Sequence, residues 1–223
     1  MDKIKVFQVK QSVFANNDEK AAELRKKLKE KKVFLLNLMS SPGSGKTTLL
    51  VALLNKMKEK VRIGVMEADI DATVDAETIA SKTGVKTIQL HTSGECHLDA
   101  EMTKDGIEAI RCDGLDFLIL ENIGNLVCPA EFDTGAHLNA EILSVPEGDD
   151  KPLKYPLMFK VANLFIISKM DTISVFNFDV EKAKERIKKI NPNAVIFPVS
   201  AKTGEGIDEL ADYLLKKIEE FQK

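Results

Sequence analysis

No stretch of this 223-residue chain stays apolar for the ~20 residues that a membrane-crossing helix needs; the longest runs, 33–39 and 161–167, stop far short. The opening MDKIKVFQVK has no apolar segment of the kind that marks a secretory signal, so a cytoplasmic location is expected, with no membrane partner. An excess of basic charge is missing too. Lysine and arginine number 32 against 35 acids, a net charge of −3, and no long basic run tracks a phosphate backbone, which argues against nucleic acid as a partner. Cysteine is scarce, and three is an odd number. In a reducing compartment such thiols are core residues or metal ligands rather than disulfides. There is no internal repeat and no low-complexity linker. What is there, 44% hydrophobic and 30% charged residues, suits a folded core, and a chain of this length buries roughly 70% of its unfolded surface.

From residue 33 onward short apolar runs alternate with amphipathic segments, the pattern of a parallel sheet covered by helices on both faces. Strands are expected at 33–39, 62–67, 86–91, 117–121, 141–145, 164–168 and 194–199, and helices at 47–60, 75–83, 98–111, 179–190 and 207–221. The fold class is therefore α/β, a mostly parallel sheet of about seven strands in one domain over 33–223. Residues 1–32 read as an extension with an extended start. Asn16 and Glu19 then stand at capping-box spacing, and a helix carrying Ala21, Leu24 and Leu28 on one face docks on that domain. Its alternating charges read as a solvated face.

Directly after the first strand comes Ser40-Ser41-Pro42-Gly43-Ser44-Gly45-Lys46-Thr47-Thr48, opening a helix. This is a phosphate loop in its required context. Backbone N–H groups of a glycine-rich turn and helix start point at phosphates, Lys46 adds a positive charge, and the Thr47 hydroxyl suits Mg²⁺. Ser40 stands where the first glycine of the motif is usual; Gly43 and Gly45 remain. Further on, Ser168-Lys169-Met170-Asp171 and Ser200-Ala201-Lys202 each follow a strand, the order of a GTPase. Asp171 accepts two hydrogen bonds from guanine, a pair that adenine cannot offer. Ser168 replaces the usual asparagine, which predicts a weaker stabilising contact there. A metal-holding acid and a γ-phosphate-sensing backbone are expected at Glu121-Asn122-Ile123-Gly124. Glu67, Asp69, Asp71 and Asp75 are candidates for a water-mediated Mg²⁺ contact or a first switch, with Asp69 and Asp75 ranked first; solvated loop acids are the competing reading.

Gly94-Glu95-Cys96-His97 lies between a strand and a helix, and Cys128 lies in a second loop. Thiolate beside imidazole suits a nickel or zinc ion, and Cys128 joins them if the loops meet; a buried thiol with an incidental histidine is the other reading. Cys112, at the end of a helix beside Arg111 and Asp113, reads as a packing residue, and His91 and His137 have no partner at metal-site spacing.

Taken together, the phosphate loop with its Thr-Thr-Leu-Leu continuation, Gly-Glu-Cys-His-Leu-Asp-Ala, Glu-Asn-Ile-Gly-Asn-Leu-Val-Cys-Pro-Ala-Glu-Phe-Asp and Glu-Gly-Asp-Asp-Lys-Pro-Leu-Lys-Tyr-Pro resemble the HypB family of hydrogenase nickel-incorporation GTPases, from about residue 6 onward. The resemblance implies a P-loop GTPase of the signal-recognition-particle and MinD-like class, a GTP-dependent homodimer. It also implies insertion of nickel into [NiFe]-hydrogenase, with the large-subunit precursor and a small zinc-containing nickel chaperone as partners. Cys96, His97 and Cys128 match the family's metal-binding positions. Neither the cysteine-rich N-terminal motif nor the histidine-rich stretch of some relatives is present, which argues against a nickel reservoir. Ser41 occupies the place of the extra lysine of MinD-like relatives, so Lys151 or Lys154 is a candidate charge in trans. A urease-type nickel GTPase is the nearest rival, disfavoured by Ala130 after Cys128-Pro129. A nucleotide-controlled docking module with little catalysis and, more remotely, a P-loop kinase are the others.

Overall fold

The structure is a computed structural model that describes residues 9–69, 73–92 and 94–223, with side chains from residue 15 onward. Seven strands form one all-parallel sheet: β1 (Phe34–Ser40), β2 (Ile63–Asp69), β3 (Lys86–His91), β4 (Phe117–Glu121), β5 (Leu138–Ser144), β6 (Leu164–Ser168) and β7 (Val195–Pro198), ordered β3-β2-β4-β1-β5-β6-β7. Every residue of β1 is buried, as a strand covered on both faces demands. Alternate β1 residues feed opposite layers. Leu36 and Leu38 pack with α2 (Lys46–Met57), α3 (Val74–Thr83) and α9 (Ile207–Gln222). On the other face Leu35 joins residues of α1 (Val9–Glu30) and α4 (Ala100–Ile110), and Met39 joins α7 (Pro156–Val161) and α8 (Val180–Ile190).

The fold class and strand count follow the sequence pattern, and three local expectations do not. β5 begins three residues before the expected 141, at Leu138, where only hydrogen bonds to β1 tell strand from loop. Residues 128–161 hold three short helices that were not anticipated, α5 (Cys128–Glu131), α6 (Lys151–Lys154) and α7, each with proline in its first turn and too short to show a period. The extended start lies partly outside the described residues, and where it is described the chain is already helical, since α1 begins at Val9 rather than near Asn16. Asn16 and Glu19 are exposed within it. The neighbouring Asn17 instead uses its amide tertiarily, donating to Asp133 O (2.9 Å) and accepting from Ala100 N at the start of α4 (2.9 Å).

α1 buries Ala21, Leu24 and Leu28. Arg25 forks onto both Asp133 carboxylate oxygens at 2.7 Å, and Lys20 pairs with Glu101. His137, beside this seam, accepts from Leu35 N at 3.0 Å, and burial holds its pKa down to about 4, so it is a neutral core histidine.

Candidate functional site

β1 lies at the centre of the sheet, flanked by β4 and β5, so the crevice beyond its carboxyl end is where an open parallel sheet receives a ligand. The phosphate loop leaves from there. Gly43 and Gly45 adopt left-handed φ values of 72° and 93°, and α2 starts at Lys46. Ser40 is fully buried at the end of β1, and its hydroxyl donates to Ser41 O (2.8 Å) while accepting from Ser44 Oγ (2.7 Å) and Lys46 Nζ (3.0 Å). Serine in place of glycine therefore braces the loop from inside. Thr47 sits half-buried in the first turn of α2 and Thr48 is exposed beside it.

The second motif arrives from β6. Ser168 Oγ donates to Ser44 O at 2.9 Å and Lys169 Nζ to Gly43 O at 2.7 Å, so both tie themselves to the phosphate loop. The weaker contact expected of Ser168 is not what the structure has: the serine is buried and bonded to that loop. Asp171 is held by Ser200 Oγ at 2.7 Å, with Lys202 Nζ 3.9 Å from its other oxygen. The Ser200-Ala201-Lys202 turn closes through Gly206, where a Cβ would meet Pro198 O at 2.3 Å, so only glycine fits. Ser44, Gly45, Thr48, Lys169, Asp171 and Ala201 line a cavity of about 210 Å³ with the Asp171 carboxylate on its wall.

On the other side of the loop three carboxylates converge. One oxygen each of Glu67, Asp75 and Glu121 lie within 4.8 Å of one another, Glu67 and Glu121 opposite each other on β2 and β4 and Asp75 at the start of α3. Burial pushes Glu121 up to about 8 and Glu67 up to about 7; Lys46 opposes both shifts, and Asp69 and Asp75 reinforce them. The Oε2 atoms of Glu67 and Glu121 are buried without a hydrogen-bond partner. Hard oxygen ligands beside a phosphate loop fit a small divalent cation. Asp69, expected as the magnesium ligand, lies outside this cluster, one pleat beyond Glu67 on β2. Glu67 was a weaker candidate because only strand pairing sets it against Glu121. Asp71 lies outside the described residues. Gly124 follows on the chain, and a Cβ there would come within 3.1 Å of Pro42 Cα and N, so this backbone lies against the phosphate loop.

The two cysteine loops do meet. Cys96 Sγ is 2.7 Å from Cys128 Sγ, although 32 residues separate them, and both thiols are free. His97 stacks on Phe132 with centroids 3.8 Å apart, its Nδ1 buried without a hydrogen-bond partner. Among the described residues, the carboxylate trio is the only set of three such ligands gathered within that reach, so His97 is placed beside the sulfur pair rather than closing a triad with it. Cys112 is a core thiol whose pKa burial raises. Lys151 faces Glu147 Oε1 at 3.6 Å and the Tyr155 ring, and Lys154 pairs with Asp150 at 2.6 Å, so both candidate trans lysines have partners within their own chain.

A central parallel strand feeding a glycine-braced loop, a lysine and threonine opening the next helix and paired acids at the neighbouring strand ends define a P-loop nucleoside triphosphatase. The chain belongs to the CobW/HypB/UreG family, whose nucleotide-binding domain matches residues 34–198, and to its HypB branch. It is 42% identical to the hydrogenase/urease maturation factor HypB of Helicobacter pylori strain J99, over 98% of this chain and 91% of that one. It is equally identical to the hydrogenase maturation factor HypB of Escherichia coli K12, over 96% and 73%. The crystal structure of HypB from Helicobacter pylori in complex with nickel superposes with a TM-score of 0.87 at 42% identity, covering 93% of this chain and 97% of that one. The signal recognition particle 54 kDa protein of Aeropyrum pernix, at 15% identity and a TM-score of 0.58 over 84% of this chain and 49% of that one, shares the fold.

Proposed function

We propose that the protein is a GTP-hydrolysing metallochaperone that binds nickel or zinc at Cys96, His97 and Cys128 and assists nickel insertion into [NiFe]-hydrogenase. The observation that carries the reading is the meeting of Cys96 with Cys128, which follows by four residues Gly124, where the backbone lies against the phosphate loop. The nickel bound to the Helicobacter pylori relative supports the choice of ion. Asp171 selects guanine, with Lys169, Ser200, Ala201 and Lys202 forming the base side. The backbone of Gly43, Ser44, Gly45 and Thr48, with Lys46 and Thr47, holds the phosphates. Thr47 and Glu121, with Glu67 and Asp75, would hold magnesium, which would supply positive charge against the developing phosphate charge. Lys46 stabilises the same charge, and Gly124 senses the γ-phosphate through its backbone. The protein acts in the cytoplasm as a GTP-dependent homodimer, with the hydrogenase large-subunit precursor and a small zinc-containing nickel chaperone as partners. A urease client is the second reading, favoured by the hydrogenase/urease name of the Helicobacter pylori relative.

Because Cys128 shares its loop with Gly124, nucleotide and cargo ion are linked reciprocally. Nickel titrations of the GDP and GTP-analogue states are expected to differ in affinity by about 5–150-fold. Cys96→Ala loses the ion and the difference while retaining GTP binding. Equal nickel affinities in both states of the wild-type protein would disprove the coupling, and a monomer by sedimentation in both states would disprove the GTP-driven dimer.

A further inference from the structure

On the sheet face that carries α1, α4, α7 and α8, the apolar run of β1 is broken at one residue. Leu35 and Met39 of β1 enter the two apolar clusters there, and the residue between them on that face, Asn37, is polar and only 2% exposed. Its Oδ1 accepts from Asn122 Nδ2 at 3.1 Å, and its Nδ2 donates to Asn139 Oδ1 on β5 at 3.0 Å. Asn139 Nδ2 in turn lies 3.5 Å from Val161 O at the end of α7. Three amides thus cross from the end of β4 over β1 to β5. The strand backbones already pair with one another, so nothing in the sheet requires this row, and a buried amide is unfavourable unless its bonds are made.

What the row holds gives it a use. Asn122 is fully buried, its N–H bonds Leu38 O at 2.9 Å, and its side-chain Oδ1 accepts from Ile123 N at 2.9 Å. The peptide so gripped stands between Glu121 of the carboxylate cluster and Gly124, which abuts Pro42. Asn37 reaches this turn from β1 through its bond with Asn122, and its hydrogen bonds go to neither the carboxylates nor the phosphate loop.

We propose that Asn37 is a positioning residue for nucleotide hydrolysis: its amide orients Asn122, Asn122 fixes the Ile123 N–H, and the turn so set places Gly124 against the phosphate loop for the γ-phosphate. This deepens the GTPase reading and rests on it. Asn139, at the far end, braces the row against α7 beside a cavity of about 270 Å³ lined by Asn37, Ala130 and Phe132; its removal leaves the Asn37–Asn122 bond in place.

The test pairs Asn37→Leu with Asn139→Leu in the full chain, reading single-turnover GTP hydrolysis, GDP affinity and hydrogen exchange at the Ile123 amide. A misplaced reacting geometry costs on the order of 10–100-fold in rate, and that loss is expected for Asn37→Leu with GDP affinity within about twofold of wild type. Exchange at Ile123 rises about tenfold or more in the same variant, because the acceptor of that N–H is no longer held. Asn139→Leu stays within about threefold of wild type in both readouts. Wild-type rate and exchange in Asn37→Leu overturn the proposal, and so do equal losses in both variants accompanied by weaker GDP binding, which is what a merely structural row would give. Should Asn37→Leu fail to fold, Asn37→Ser, whose hydroxyl is too short to reach Asn122, carries the same expectations. If the wild-type protein does not hydrolyse GTP, the functional reading fails on its own, and unchanged Ile123 exchange in Asn37→Leu is then what overturns the positioning role.

Discussion

The two sides of the phosphate loop are built on different terms. On the Asp171 side three polar groups are satisfied within the chain: Asp171 by Ser200, Lys169 by Gly43 O and Ser168 by Ser44 O. On the side of the acids and thiols, Glu67 Oε2, Glu121 Oε2 and His97 Nδ1 are buried with no hydrogen-bond partner. Burial of a carboxyl favours its neutral form, which is why Glu67 and Glu121 shift up to about 7 and about 8. The Asp171 side is therefore preorganised and does not need a ligand to hold its shape. The opposite side carries unfavourable electrostatics that a cation relieves, so its geometry responds to what binds there.

That contrast breaks most visibly at Lys46, the residue between the two sides. Lys46→Ala is expected to lower single-turnover GTP hydrolysis by on the order of 10³-fold, because it removes the charge facing the phosphates and also the cation that tempers Glu67 and Glu121. Full activity in this variant would sink the assignment of the loop.

Asp171→Asn sharpens the preorganised half. The shorter list of changes is chemical rather than structural, since an asparagine oxygen still accepts from Ser200 Oγ. GTP affinity is expected to fall by about 10²-fold while xanthosine triphosphate gains, as its 2-oxo group needs a donor where the guanine amino group needs an acceptor. Competition binding with the two nucleotides measures it; an unchanged preference for GTP would place base recognition elsewhere.

Glu67→Gln probes the other half with a smaller effect. The folded pKa near 7 exceeds the ordinary 4.5, so between those values the folded state holds a proton that the unfolded state has lost. Stability contributed in this way is present below pH 4.5 and is lost as pH rises through 7, by about 3 kcal/mol at most. Urea unfolding in chelator should show the wild-type protein losing stability over that range and Glu67→Gln losing less, with added magnesium restoring the wild type more than the variant. A wild-type profile that stays flat with pH would show that burial does not hold Glu67 protonated.

Much of this architecture was legible before any coordinate. The alternation of apolar runs with amphipathic segments identified the parallel sheet, because strands buried on both faces leave a mark in every window. The phosphate loop and the Lys169–Asp171 triplet were readable because each is contiguous, with its chemistry set within a few residues of chain. Where reading went astray, the deciding contact was distant. Asn16 and Glu19 had the spacing of a helix cap, but α1 runs through them from Val9 and Asn17 bonds Asp133 and α4 instead. Asp69 outranked Glu67 by its position near the loop, whereas the register of β2 against β4 pairs Glu67 with Glu121.

The sequence by itself therefore determined the class of fold, the phosphate cradle and the residues eligible for base and ion, since these depend on periodicity and on short stretches of chain. Tertiary structure alone decided which acids converge, that Cys96 meets Cys128 while His97 turns to Phe132, and that Asn122, Asn37 and Asn139 form one row. The reason is strand order. β4 and β5 reach their places beside β1 only after long crossovers, and the residues that become neighbours there are set by sheet topology and register rather than by any spacing along the chain.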